Sequence, residues 1–418
     1  MLLTSQDQFA AQESIMQLKG IDFIELYVGN ALQAAHFYRT VFGFTPIASL
    51  GLETQVRDHV SIAMQQGQAH LVLTAPLSTD GPIAEHVHLH GDGVKDIAFR
   101  VANAAVAFQR AVQWGAQPVM EPTVFQDEQG SVTKTTVAAY GDTTHSFIQY
   151  DHFEGVFFPG YKPVGAQDVI AQGAATQNTM TQNVMTQNAL TQNILTGARK
   201  GRDGASPSST HLGPLPTASI GISLVDHLAI SLRRGEVQKW GDFYRQCFGF
   251  QQIHEENIQT EYSAMNSIAL QDQTGQINLV LIEPKEGKRQ SQIEEFLQFY
   301  GAPGVQHIAL HTENIVETVQ TLADRGLRFV PAPASYYDLL PERVGEISES
   351  LSALQAANVL VDRDAWGYLL QIFSQPLQDR PTLFIEIMQR KNARGFGSGN
   401  IQALFKALEL EQARRGNL

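Results

Sequence analysis

Cysteine is nearly absent: Cys247 is the one thiol in 418 residues. That excludes an intrachain disulfide and fits a reducing compartment. Flanked by Phe248 and Phe250 in the run QCFGF, the thiol reads as core packing rather than as a nucleophile. Long apolar runs are missing too, and none approaches the length that spans a bilayer. The opening residues, MLLTSQDQFAAQES, lack the basic-then-apolar pattern of a secretory signal, so a cytoplasmic location is expected. Positive charge is scarce as well, with 29 Lys and Arg against 42 Asp and Glu and a net charge of −13. This balance argues against nucleic acid or an anionic membrane as a partner.

What the chain does have is length for two or three domains and an internal repeat. Asp22 to Phe44 and Asp226 to Phe250 share a strand, a helix ending in FYR and a short turn to FGF. Gly93 to Pro122 parallels Gly304 to Pro333, again strand, helix, glycine stop and strand. A further β-rich segment closes each half, Thr135 to Asp151 and Trp366 to Gln389. Each half therefore reads as two βαβββ modules, with strands too short to bury both faces unless the sheet curls around a cavity. The expected class is α+β, two open-barrel domains covering 1–160 and 223–418. Between them, 161–222 reads as a linker, because the pentads TQNTM, TQNVM, TQNAL and TQNIL (Thr176 to Leu195) and the Gly/Ser/Pro stretch after them bury too little apolar surface for a core.

The repeat also acts as an internal control. In the C-terminal half three polar residues interrupt apolar strands: His227, His307 and Glu386. Glu386 lies among Leu383, Phe384, Ile385, Ile387 and Met388, so either it faces solvent or it needs a cation or a strong hydrogen-bond partner. In the N-terminal half the counterparts read as Phe23, Asp96 and Gln149, so the fold is kept while the polar set is not. Two imidazoles and one carboxylate from different strands are the ligand set of a mononuclear non-haem iron site with open positions; zinc is the alternative metal. After Glu386 come a glycine-rich turn, KNARGFGSGN, and an amphipathic helix, Asn400 to Arg415, with Ile401, Leu404, Phe405 and Leu408 on one face.

These stretches resemble the 4-hydroxyphenylpyruvate dioxygenase family and its relative 4-hydroxymandelate synthase, within the vicinal-oxygen-chelate superfamily. The likeness rests on VDHLA around His227, GAPGVQHIAL around His307, GYLLQIF at Gly367 to Phe373, DRPTLFIEIMQR around Glu386, and RGFGSGN. It implies that His227, His307 and Glu386 hold one Fe(II), that 4-hydroxyphenylpyruvate and O2 are the reactants, and that the last helix is a lid. It also implies a homo-oligomer. Ser267, Gln292, Gln306, Gln371 and Phe373 then match positions that hydrogen-bond to or stack on the aromatic substrate, and Phe396 and Ile401 lie over the pocket. Two departures bear on the product. Members that form homogentisate carry Asn in an NEP motif and Phe in GFGxGNF, whereas this chain has Ile282 in LIEP and Ile401 in GFGSGNI. Both changes resemble hydroxymandelate synthases, so benzylic hydroxylation to 4-hydroxymandelate is the expectation, with homogentisate as the alternative. A non-catalytic binding protein on this fold and a zinc hydrolase or lyase are the readings from other classes.

Overall fold

The computed structural model describes residues 16–164, 219–259 and 263–400. The pentads, Ile401 and the expected lid helix lie outside the described residues. The N-terminal half runs β1 (Leu18–Tyr27), α1 (Ala31–Thr40), β2 (Thr45–Leu50), β3 (His59–Gln66), β4 (Ala69–Pro76), α2 (Pro82–His90), β5 (Gly93–Val101), α3 (Ala104–Gln113), β6 (Pro118–Asp127), β7 (Gly130–Ala138) and β8 (Thr144–Asp151), followed by the short β9 (Lys162–Pro163). The C-terminal half repeats the order: β10 (Ile222–Ser231), α4 (Val237–Phe243), β11 (Gln251–Gln259), β12 (Ala264–Gln271), β13 (Asn278–Lys285), α5 (Gln292–Tyr300), β14 (Gly304–Thr312) and α6 (Ile315–Asp324). Three short helices, α7 to α9 (Ala334–Asp338, Leu340–Val344, Leu351–Ala356), then precede β15 (Leu360–Arg363), β16 (Tyr368–Phe373) and β17 (Phe384–Lys391).

Local sequence explains the repeated starts. Asn30, Asn103 and Asn314 each cap a helix by accepting from the third backbone N–H, at Gln33, Val106 and Glu317. The fourth equivalent helix begins after Glu236 without a side-chain cap and passes into a π-helical turn, Tyr244–Phe248.

The sheets form two curled half-barrels, with strand orders β6-β7-β8-β5-β1-β4-β3-β2-β9 and β11-β12-β13-β10-β14-β17-β16-β15. In each, the first strands of the two modules pair antiparallel at the centre, β1 with β5 and β10 with β14, and each first strand pairs parallel with the last strand of its own module. This is the duplicated α+β open-barrel arrangement read from the repeat. Among the described residues no helix is long and apolar enough to cross a membrane.

Register fixes the correspondence between halves residue by residue. His227 pairs with Ala309 as Phe23 pairs with Ala98, and Ala229 pairs with His307 as Glu25 pairs with Asp96. The third counterpart needs correction. Glu386 pairs with Ala309, and the residue opposite Ala98 is Ser146, not Gln149. Gln149 instead matches Gln389, and both accept from the N–H that opens a helix, at Ala104 and Ile315. In a parallel pair the register cannot be read from strand ends, and polar residues of similar spacing invited the wrong match.

The two barrels are filled differently. In the N-terminal one, Phe23, Ala63, Val72, Ala98, Val132 and Ile148 pack with Phe157 and with Phe153, Phe158 and Tyr161 from the segment after β8. The Asp96 carboxylate lies 3.8 Å from the Lys134 ammonium. An aromatic plug and an ion pair thus stand where the other half carries His227, His307 and Glu386.

Candidate metal centre

His227 on β10, His307 on β14 and Glu386 on β17 come from three adjacent strands, and alternation aims all three into the C-terminal barrel. Glu386 Oε2 lies 3.2 Å from His227 Nε2 and 3.3 Å from His307 Nε2. Glu386 is 1% exposed, so solvent does not offset its charge. Burial would raise its pKa, but the facing His227 holds it below the ordinary carboxylate range. Burial would likewise lower the pKa of His227, yet Glu386 and Asp226 push it up to about 9, whereas burial keeps that of His307 low. The space between the three side chains thus favours positive charge, and a divalent ion there would meet two imidazole nitrogens and one carboxylate.

Neighbouring groups orient each ligand. Asp226 Oδ1 accepts from His227 Nδ1 at 2.9 Å, and Arg390 donates to both Asp226 oxygens at 2.6 and 2.8 Å. This fixes the His227 tautomer with Nε2 free to ligate. Phe384 stacks on His307, ring centroids 4.8 Å apart, and Gln306 Oε1 lies 3.4 Å from His307 Nδ1. Gln371 Nε2 donates to Glu386 Oε1 at 3.1 Å. The Asn400 amide lies between the Gln371 amide, 3.2 Å away, and the Tyr336 hydroxyl, 2.7 Å away. Gly397, at φ +80, is required here, because a Cβ would collide with the Gln371 amide oxygen.

Of the pocket residues read from the sequence, Gln306, Gln371, Phe373 and Phe396 adjoin the triad, Gln292 and Ile282 stand one contact further out, and Ile401 lies outside the described residues. Gln306 donates to Gln292 at 2.9 Å, and Gln292 opens α5 directly after Ser291, the N-cap that forms a capping box with Glu294. Ser291→Ala is expected to cost about 1 kcal/mol, read as a shifted denaturation midpoint. Ser267 and Ile282 are paired neighbours on β12 and β13, and Ile282 packs in the cluster that holds Ala229, Ile293 and Phe396. Phe373 faces Glu386 across β16 and β17, and the Phe396 ring meets His227 edge-on at 5.2 Å. Sequence reading missed Asp226, Arg390, Phe384 and the Asn400–Tyr336 pair. The signal for Arg390 was its even spacing from Glu386, which puts both on one face of a strand.

A curled βαβββ barrel with two histidines and a carboxylate converging inside it defines a protein of the vicinal-oxygen-chelate class. Comparison with known proteins narrows this. Residues 12–157 match the family described as "Hydroxyphenylpyruvate dioxygenase, HPPD, N-terminal", and residues 224–371 match "Glyoxalase/Bleomycin resistance protein/Dioxygenase superfamily". The chain is 38% identical to the 4-hydroxyphenylpyruvate dioxygenase of Yarrowia lipolytica over 98% of its own length and 96% of that protein. It is 39% identical to that of Danio rerio over 94% and 91%. A solved triple mutant of 4-hydroxymandelate synthase from Streptomyces coelicolor superposes with a TM-score of 0.76 at 32% identity, covering 95% of this chain and all of that one. The chain belongs to the 4-hydroxyphenylpyruvate dioxygenase family and is a dioxygenase, which sets aside the binding-protein and hydrolase readings.

Proposed function

We propose that the chain is an Fe(II)-dependent dioxygenase that converts 4-hydroxyphenylpyruvate and O2 to homogentisate, with residues 223–418 as its catalytic unit. The carrying observation is the triad of His227, His307 and Glu386, buried and matched to one divalent ion, in a chain whose near full-length relatives bear the 4-hydroxyphenylpyruvate dioxygenase name. Those relatives move the reading from the hydroxymandelate expectation to its alternative. Fe(II) held there would supply a Lewis-acidic centre with open positions for a 2-oxo acid and O2. The remaining work falls to the chain. Ser267 and the Gln292–Gln306 pair offer hydroxyl and amide groups to the substrate's phenol and keto acid. Phe373 and Phe396 wall the ring and exclude water, and Asp226 with Arg390 keeps Nε2 of His227 aimed inward.

One observation favours 4-hydroxymandelate as the second reading: buried Ile282 offers the ring no hydrogen bond. Purified enzyme given Fe(II), 4-hydroxyphenylpyruvate and O2, followed by chromatography, distinguishes the products, and hydroxymandelate as the main peak would overturn the first reading. Ile282→Asn adds one polar hold on the ring. It is expected to move the product ratio toward homogentisate by about tenfold, the worth of one hydrogen bond.

A further inference from the structure

A second cluster among the described residues has the make-up of a metal site: His86 and His90, one turn apart on α2, and Asp142 in the turn before β8. Its geometry is that of a different device. His86 Nδ1 is 2.7 Å from Asp142 Oδ2, a direct hydrogen bond, whereas the triad's nitrogens stand 3.2 and 3.3 Å from their shared oxygen. The Lys95 ammonium is 3.5 Å from the same Asp142 oxygen and also donates to the Asp142 carbonyl. A cation already answers the carboxylate, so a second one is disfavoured.

This cluster ties the N-terminal half to two of the three strands that carry the triad, β14 and β17. His90 reaches Asp142 through Nε2, at 3.5 Å, and bonds through Nδ1 to the carbonyl of Tyr300, the last residue of α5. Its ring stacks on that of Tyr300 at 4.4 Å. Close approach is possible because β5 begins with glycine: a Cβ at Gly93 would lie 2.7 Å from the Tyr300 ring. On the other side of the same helix end, Arg380 donates to the carbonyls of Leu89 and His88 at 2.6 and 3.2 Å. Those carbonyls have no partner within the helix, and they carry the negative end of its dipole. Gln378 donates to the Asp92 carbonyl at 2.5 Å and accepts from its N–H at 3.0 Å. Tyr300 to Pro303 lead into β14 and His307, while Gln378 to Thr382 lead into β17 and Glu386.

These strands are parallel neighbours, and their pairing begins only at His307 with Phe384. Ahead of His307 the ladder does not tie one strand to the other.

We infer that the end of α2, with Asp142, is a clasp by which the metal-less half positions His307 and Glu386, and that His90 and Arg380 are positioning residues for the metal centre. The inference rests on the triad holding Fe(II). The test is Fe(II) affinity, measured anaerobically on the full chain for the native protein, His90→Gln, Arg380→Ala and a control, Tyr244→Phe. The control removes another polar tie between the halves, His145 Nε2 to the Tyr244 hydroxyl at 2.7 Å, which leads to α4 rather than to a ligand strand. His90→Gln and Arg380→Ala are each expected to weaken Fe(II) binding about tenfold, as loss of an outer support does. Tyr244→Phe is expected to lower the melting temperature and leave Fe(II) affinity at the native value. Native affinity in His90→Gln and Arg380→Ala overturns the clasp, as does an equal loss in Tyr244→Phe, which would mean general loosening between the halves. A native chain that takes up no Fe(II) overturns the triad and the clasp with it.

Discussion

Glu386→Ala is expected to lose more than about a hundredfold in Fe(II) affinity and in oxygen consumption with an aryl pyruvate, since even outer-shell partners are worth ten- to a hundredfold. Among the described residues the Glu386 carboxylate is the one that pairs with both imidazoles, and its Oε2 is the atom common to the two short distances. Without it the site holds two neutral donors with ring centroids 5.6 Å apart. Folding is expected to suffer much less. Glu386 is a buried charge facing two imidazoles, and removing it takes away a desolvation cost together with the attraction that offset it. Calorimetry of the metal-free variant and oxygen-electrode traces of the iron-loaded one separate the two effects. Oxygen uptake within threefold of native would sink the triad.

Much of this site was legible in one sequence because the chain contains its own control. Duplication showed which residues the fold needs and which one half alone has kept, and it isolated His227, His307 and Glu386. The structure adds what stands at the equivalent positions of the other half. Phe23 stands where His227 does, Asp96 where His307 does and Ser146 where Glu386 does. Lys134 stands where Gln371 does and answers Asp96 from 3.8 Å. In one barrel the chain's own ammonium faces the carboxylate, whereas in the other two imidazoles face it. Ser146 escaped notice because a serine on a strand carries no signal, while Gln149, a helix-capping group, stood out as polar.

What stayed hidden depends on distance along the chain. Arg390 and Asp226 are 164 positions apart, as are no two residues that periodicity compares. Likewise the segment Phe153 to Tyr161 is aromatic enough to be noticed, but nothing local says that it folds back into a barrel and fills it. The clasp joins His90 to Tyr300 and Arg380 to Leu89, 210 and 291 positions apart. Helix starts were local and legible at Asn30, Asn103 and Asn314, whereas the strand expected after Gly326 is absent, reduced to one bridge between Phe329 and Ser374 before three short helices.

Arg390→Met is expected to lower the melting temperature by about 10 °C, the equivalent of roughly 3–5 kcal/mol for breaking a buried pair from one side. Burial would raise the pKa of Asp226, yet the Arg390 guanidinium holds this carboxyl far below the usual range, so the aspartate is charged when it supports His227. Methionine keeps an apolar stem beside Phe396, over which the guanidinium now lies at 5.2 Å, and so the loss reports on charge more than on packing. Asp226 is then left with His227 as its partner, and the imidazole is drawn toward that oxygen and away from the barrel. Fe(II) affinity is expected to fall about tenfold in consequence. Combining Arg390→Met with Asp226→Asn removes the buried charge together with its partner while keeping an acceptor for Nδ1. The double variant is therefore expected to melt above Arg390→Met alone, a coupling that additive effects do not produce. A single variant that melts within about 2 °C of native and binds Fe(II) equally well would mean that water reaches Asp226 and that the pair supports neither the fold nor the ligand.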